Sequence, residues 1–114
     1  MNFYNITLGI IFFILAQTGA YYQSNGQFIF PWFKNNPLLI SLFGVPISYF
    51  YIYATKNIVK GFDGTLWPAR LLGFAIGIIL FSLLTYIHLG ELITLKTLTM
   101  LVLAIIIVLI QIFW

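Results

Sequence analysis

The side chains that could carry out acid–base or metal chemistry are few and far apart in this chain. Its 114 residues include five Lys and Arg, two Asp and Glu, one His and no Cys. The two carboxylates, Asp63 and Glu91, belong to different connections between apolar segments, so they cannot form an acid–base pair. His88 is interpreted as a surface partner of Glu91. Phosphate-binding loops and metal-ligand spacings are absent, so the sequence predicts no enzyme, no cofactor and no metal site.

Composition indicates lipid rather than water or nucleic acid as the surroundings. Charged residues make up 6% of the chain and hydrophobic residues 62%, whereas a soluble domain has about 25% charged residues. The net charge of +3 is scattered along the chain. It is too small for a nucleic-acid interface, so no nucleic-acid partner is expected. The partner that the composition predicts is a lipid bilayer.

Four apolar segments hold nearly all of the hydrophobic residues. They cover residues 4–22, 37–55, 66–87 and 97–114. Each is close to the roughly 20 residues that an α-helix needs to cross a bilayer. No basic residue precedes the first segment, so we expect a membrane span there rather than a cleaved signal peptide. The sequence predicts an all-α membrane protein, a bundle of four transmembrane helices with short connections, as a single domain over residues 1–114.

The connections carry recognisable helix-start and turn residues. Asn36 followed by Pro37 predicts a helix start, with the Asn side chain as cap and Pro at the first helical position. Gly90 predicts a tight hairpin before the last span, and Thr94 is a suitable cap for that span. Short connections of this kind place neighbouring spans antiparallel.

Gln17 is the most unusual polar residue within a span. In the first span Gly9, Ala16 and Ala20 share one face, Gln17 lies beside them, and Tyr21 follows one turn later. A primary amide in hydrocarbon costs free energy unless it is paired, so Gln17 should face protein or water. Two interpretations stay open at this stage. Gln17 either holds the bundle together through an interhelical hydrogen bond or binds a substrate.

The second and third spans also carry small or helix-distorting residues. Pro46 lies near the middle of the second span and should kink it. Ser41, Gly44 and Ser48 share one face of this span, and Tyr49 lies at the edge of that face. Gly73 and Gly77 form a Gly-x-x-x-Gly pair in the third span, which permits a close helix crossing. These residues are predicted to serve packing and kinking.

The basic residues give a small bias to the orientation. With four spans, both termini and the second connection share one side of the membrane. That side carries Lys56, Lys60 and Arg70, whereas Lys34 and Lys96 belong to the other side. The positive-inside rule therefore favours cytoplasmic termini by three residues against two. Arg70 is the only charged residue inside a span, near its start, where its stem can reach the interface.

The layout resembles that of a known transporter group. The stretch from Leu89 to Lys96 resembles a Gly-Glu-x-hydrophobic-Thr turn into a last helix, and Trp67 precedes the Gly73 and Gly77 pair. Together these features resemble the drug/metabolite transporter superfamily, especially four-helix members related to the small multidrug resistance proteins. The resemblance implies an antiparallel homodimer around a shared chamber lined by Trp67, in a bacterial-type inner (plasma) membrane.

One position departs from that resemblance. The proton-coupled exporters of the group carry a membrane-embedded Glu where this chain has Gln17. An amide neither carries a proton nor pairs with a cation. We therefore expect no proton-coupled cation antiport.

Two functions follow as predictions. The first is a dimeric transporter that moves a neutral, zwitterionic or amphipathic small molecule or lipid-linked solute, with a site formed by Gln17, Tyr21, Tyr49 and Trp67. The alternative is a structural or accessory subunit bound to a partner membrane protein. The alternative rests on two features suited to a partner. One is the last span, where Ala104 is the only small residue on an otherwise large apolar surface, and the other is the aromatic first connection, residues 23–36.

Overall fold

The computed structural model describes all 114 residues and consists of helices joined by short connections. The elements are α1 (Phe3–Asn25), a 3-10 turn (Gly26–Phe28), α2 (Pro31–Asn35), α3 (Pro37–Leu42), α4 (Gly44–Gly61), α5 (Trp67–Leu89) and α6 (Leu95–Phe113). Four helical stretches are long and apolar enough to cross a membrane: Phe3–Phe28, Pro37–Gly61, Trp67–Leu89 and Leu95–Phe113. The predicted all-α, four-span fold is confirmed.

The helix ends lie at the three predicted positions, since α3 begins at Pro37, Gly90 follows α5 and Thr94 precedes α6. Gly90 ends α5 in the left-handed conformation, with φ of 66°, which a residue without a Cβ adopts readily. The Thr94 hydroxyl caps α6 by accepting a hydrogen bond from the Thr97 amide at 3.2 Å. The predicted side-chain cap of Asn36 is wrong. Its amide donates instead to the Trp32 carbonyl at 2.9 Å, because the short helix α2 ends directly before it.

The second span is interrupted close to Pro46, as the sequence predicted. Proline has no N–H, so the carbonyl four residues earlier, that of Leu42, loses its helical partner. Helix α3 ends at Leu42, and the Phe43 amide bonds to the Ile40 carbonyl at 3.1 Å in a tighter turn. The Gln23 side chain lies against this interruption, with Nε2 3.4 Å from the carbonyl oxygens of Ile40 and Ser41.

Beyond the interruption, helix α4 continues further than the apolar segment does. It runs to Gly61, whereas the hydrophobic residues predicted an end near residue 55. The additional turns carry Lys56 and Lys60, which are good helix formers. Hydropathy marks the hydrocarbon boundary rather than the end of the backbone hydrogen bonds, so the helix extends past that boundary.

Helix α1 packs between α4 and α5, and small residues let the backbones approach. Gly9 is buried against Ile58 of α4, and Gly61 of α4 lies against Ile6. Ala16 is fully buried and Ala20 is half-buried on the same helix. The core cluster consists of Ile6, Phe13, Ala54, Ile58, Ala69 and Leu72.

Helix α6 is attached to the bundle mainly through α5. Ala104 is its only buried residue, and its remaining Leu, Ile and Val side chains are half-buried or exposed. The small residue therefore marks the contact face. The opposite surface is left for lipid or for another protein.

Contacts at the helix ends show which connections lie together. The Asn2 amide donates to the Gly61 carbonyl at 2.8 Å, so the start of α1 lies beside the end of α4.

At the other end of the bundle, the Tyr22 hydroxyl and His88 Nε2 are hydrogen-bonded at 2.6 Å. The predicted pairing of His88 with Glu91 is therefore wrong. A ring on the neighbouring helix α1 provides the partner instead.

Candidate functional site

The crossing of α1 and α5 brings two side chains onto two glycines. Phe13 lies over Gly73 and Gln17 lies over Gly77, so a pair spaced by four residues on α1 meets a pair with the same spacing on α5. A methyl group added at Gly77 would come within 2.9 Å of the Gln17 carboxamide atoms. The absence of a side chain at Gly77 is thus what leaves room for the Gln17 amide between the helices.

Gln17 makes one hydrogen bond at this crossing. Its Nε2 donates to the backbone carbonyl of Gly73 at 3.0 Å, and this acceptor fixes the orientation of the amide. Its Oε1 accepts no hydrogen bond from the protein, yet no buried side-chain oxygen or nitrogen lacks a partner. The oxygen is therefore accessible. Gln17 joins two helices with one end of its amide and presents the other end to open space.

That open space is a cavity of about 350 Å³ between α1, α4 and α5, a size in the range of small-molecule sites. We call it the Gln17–Arg70 cavity. It is lined by Phe13, Gln17, Tyr51, Thr55, Leu66, Ala69, Arg70, Gly73 and Phe74. No carboxylate is among these residues, and Arg70 supplies the only formal charge.

Most polar groups of this cavity have no partner within the protein. The hydroxyls of Tyr51 and Thr55 and the guanidinium of Arg70 form no hydrogen bond in the structure, where Met1 and Asp63 form the only ion pair. By contrast, Ser82 and Thr99 each donate to a carbonyl of their own helix. Unpaired polar groups around one cavity between candidate membrane spans can form a binding site or a solute path.

The four residues predicted as a site are not brought together within one chain. Gln17 lines the cavity. Tyr21 is buried on the other side of the crossing, and its hydroxyl lies 3.0 Å from that of Thr85. Tyr49 is 59% exposed and stacks on Tyr53, and Trp67 is 68% exposed at the start of α5. Both of these rings face outward from the single chain.

Tyr51, Thr55 and Arg70 were not singled out as site residues from the sequence. Arg70 carried a signal, because it is the only charged residue inside an apolar segment. Tyr51 and Thr55 lie four residues apart on one face of α4, a spacing visible in the sequence. Which face of α4 meets Gln17 depends on how the helices are rotated against each other.

A second cavity, of about 270 Å³, lies beside the interruption of the second span. Phe33 of α2 contributes to its lining, together with Tyr22, Gln23 and Pro46. Seven of its ten lining residues are hydrophobic, so it offers few groups that could orient a polar ligand. The Gln17–Arg70 cavity is the better candidate site.

Comparisons with protein-family models, with curated proteins and with solved structures find no match to this chain. The resemblance to the drug/metabolite transporter superfamily therefore stays a prediction. The candidate site is assigned from its own geometry.

Proposed function

We propose that this chain is a small membrane transporter that works as a homodimer, without an enzymatic step. It moves a neutral, zwitterionic or amphipathic small molecule or lipid-linked solute. The Gln17–Arg70 cavity, with its unpaired polar groups among transmembrane helices, is the observation that carries the proposal. Two unpaired hydroxyls and a guanidinium around one cavity are groups with which a solute can form hydrogen bonds.

The lining of the cavity argues against proton-coupled export of cations. Such coupling needs a group that exchanges a proton for the cation, and the cavity contains no carboxylate or histidine. Gln17 cannot titrate. The positive charge of Arg70 also repels cations in surroundings where solvent screening is weak.

We place the protein in a bacterial-type inner (plasma) membrane with cytoplasmic termini. The start of α1 lies beside the end of α4, so the N-terminus shares a side with Lys56 and Lys60. The positive-inside rule favours the cytoplasm for that side.

Reconstitution into liposomes tests the transport proposal. We expect protein-dependent movement of a short-chain, fluorescently labelled phosphatidylcholine between leaflets, measured by dithionite quenching. Adding tetraphenylphosphonium should release no protons from the vesicles. Labelling of a Lys60→Cys variant with an impermeant maleimide reports the orientation in the same vesicles. Cation-driven proton release would contradict the absence of proton coupling, and leaflet exchange no faster than in protein-free liposomes would contradict lipid transport.

Helix α6 favours a second candidate function. Because it buries only Ala104 and contacts mainly α5, it presents a long apolar surface. A subunit that packs into a larger membrane complex would use such a surface. The composition of the complex purified in mild detergent distinguishes this accessory role from a transporting homodimer.

A further inference from the structure

We propose that the Gln17–Arg70 cavity binds the phosphate-type anionic headgroup of an amphiphile, with Arg70 as the ligand of the anion. This inference deepens the proposed function and rests on it, since it names the substrate class of the same cavity. The observation behind it is an arginine inside a membrane span that has no acidic partner and lines a cavity with unpaired hydroxyls.

The acidic residues of the chain are engaged or remote. The Asp63 carboxylate lies 3.4 Å from the Met1 amine, and Glu91 belongs to the hairpin between α5 and α6, at the opposite end of α5 from Arg70. Arg70 therefore has no acidic partner within the chain, and its guanidinium is free to pair with an anion from outside it. A guanidinium presents five N–H donors in a planar fork that matches the oxygens of a phosphate, and such pairs are stronger than neutral hydrogen bonds.

The neighbouring polar groups complement an oxyanion attached to a polar backbone. The hydroxyls of Thr55 and Tyr51 are free to donate to further phosphate oxygens. Gln17, another residue of the lining, has a free acceptor in its Oε1, which can receive a hydrogen bond from a hydroxyl or amine of the same headgroup. An inorganic anion would leave this acceptor unused.

The rim of the cavity carries exposed apolar side chains. Phe74 is 47% exposed and Leu66 is 68% exposed, and both line the cavity. An amphiphile can therefore place its headgroup against Arg70 while its chains stay against these side chains in the bilayer. This arrangement satisfies the charge without moving hydrocarbon into water.

Ligand-dependent thermal stabilisation in dodecyl maltoside, a detergent without phosphate, tests the proposal. Three probes are compared: dihexanoyl phosphatidic acid, dihexanoylglycerol with the same chains, and inorganic phosphate. We expect saturable stabilisation by the phosphatidic acid and none by the dihexanoylglycerol. Stabilisation by the phosphatidic acid alone identifies a lipid headgroup as the source of the anion. Equal stabilisation by inorganic phosphate would identify the free anion as the ligand. That result would be compatible with Arg70 as the binding residue but would contradict the proposal that the ligand is an amphiphile.

Charge-matched variants assign the binding to Arg70. Arg70→Gln should weaken the apparent affinity at least about tenfold, as expected for loss of a charge-assisted hydrogen-bonded pair. Lys60→Gln removes the same charge on the same side, outside the cavity, and should leave the affinity unchanged. Two results would overturn the proposal: equal affinity for the phosphatidic acid in wild type and Arg70→Gln, or an equal loss of affinity in both variants. Either result would show that the anion is not bound specifically by Arg70.

A gentler variant covers the case in which Arg70→Gln does not fold. Thr55→Val keeps the shape of an exposed side chain that makes no protein hydrogen bond, so it should fold and bind the phosphatidic acid several-fold more weakly. Unchanged affinity in this variant would contradict a role of the Thr55 hydroxyl in the site. Binding without leaflet exchange in liposomes contradicts transport only, whereas exchange of phosphatidylcholine without Arg70-dependent binding contradicts the anion site only.

Discussion

Gln17 and Gly77 depend on each other at the crossing of α1 and α5. The amide of Gln17 occupies the space that a side chain at position 77 would fill. It bonds to Gly73 from that position. The two interpretations that the sequence left open for Gln17 therefore do not exclude each other. One end of the amide serves packing, and the other end faces the cavity.

This dependence gives a double-mutant prediction. Gly77→Ala should displace Gln17 and lower the free energy of unfolding by about 1 kcal/mol, because the added methyl overpacks the crossing. In a Gln17→Ala background the obstacle is gone, and the same change should stabilise the helix by up to about 1 kcal/mol through its higher helix propensity. Equilibrium unfolding in mixed SDS micelles measures both values.

Gly9→Ala is the control for Gly77→Ala, because a methyl group at Gly9 would meet the side chain and backbone of Ile58 instead of the Gln17 amide. A methyl group at Gly9 would lie 2.5 Å from the side chain and 3.0 Å from the backbone nitrogen of Ile58, which is fully buried. Gly9→Ala should therefore lower the free energy of unfolding by more than Gly77→Ala does, by about 1–3 kcal/mol. The effect should be the same with or without the Gln17 side chain. An equal effect of Gly77→Ala in both backgrounds would contradict the assigned contact.

At the scale of the elements, hydropathy predicted the spans well but not their mutual packing. A membrane-spanning helix needs an apolar segment of sufficient length, and a single sequence is enough to identify such a segment. Pro46 likewise predicted an interruption, since the missing N–H is a local property. Tyr49 and Trp67, predicted to line the site of a dimer, lie exposed in the single chain, so their place in a shared site stays a prediction. Helix rotation is set by contacts with other helices. The place of Thr55 in the cavity lining depends on helix rotation in the same way, so it could not be predicted from the sequence.

The interruption of the second span has a local cause that can be tested. Pro46→Ala restores an N–H for the Leu42 carbonyl, so α3 and α4 should join into one straight helix. The native chain has no cysteine, so spin labels introduced at Leu38 and Lys60 report one distance without a background. We expect that distance to increase towards the roughly 33 Å of a straight helix with 1.5 Å rise per residue.

The matching control leaves proline in place. Ser48→Ala changes another position of α4 without creating a backbone donor, so the distance between the same two labels should stay as in the wild type. If Pro46→Ala also leaves the distance unchanged, the interruption comes from the contacts of Gln23 with α3 rather than from proline.

At the scale of the whole molecule, a single chain is thin in one direction. Its backbone extends over 45 × 36 × 17 Å, and the shortest extent is about one and a half helix diameters. Only 18 of its 114 residues are buried, and the Gln17–Arg70 cavity opens at the surface. A second copy would supply the missing wall. Tyr49 and Trp67, which face outward from one chain, could then line a shared chamber.

Purification in mild detergent after cross-linking in the membrane tests this assembly. Native mass spectrometry should find a complex of twice the 13.1 kDa chain mass, because the open cavity needs a second wall that another copy can provide. A fixed stoichiometric complex with a different membrane protein would support the accessory role and contradict the homodimer. A monomer that still moves lipid between leaflets would contradict the dimer but retain the cavity as the transport site. The exposed face of α6 then needs no protein partner, since lipid alone suffices to cover an apolar helix surface.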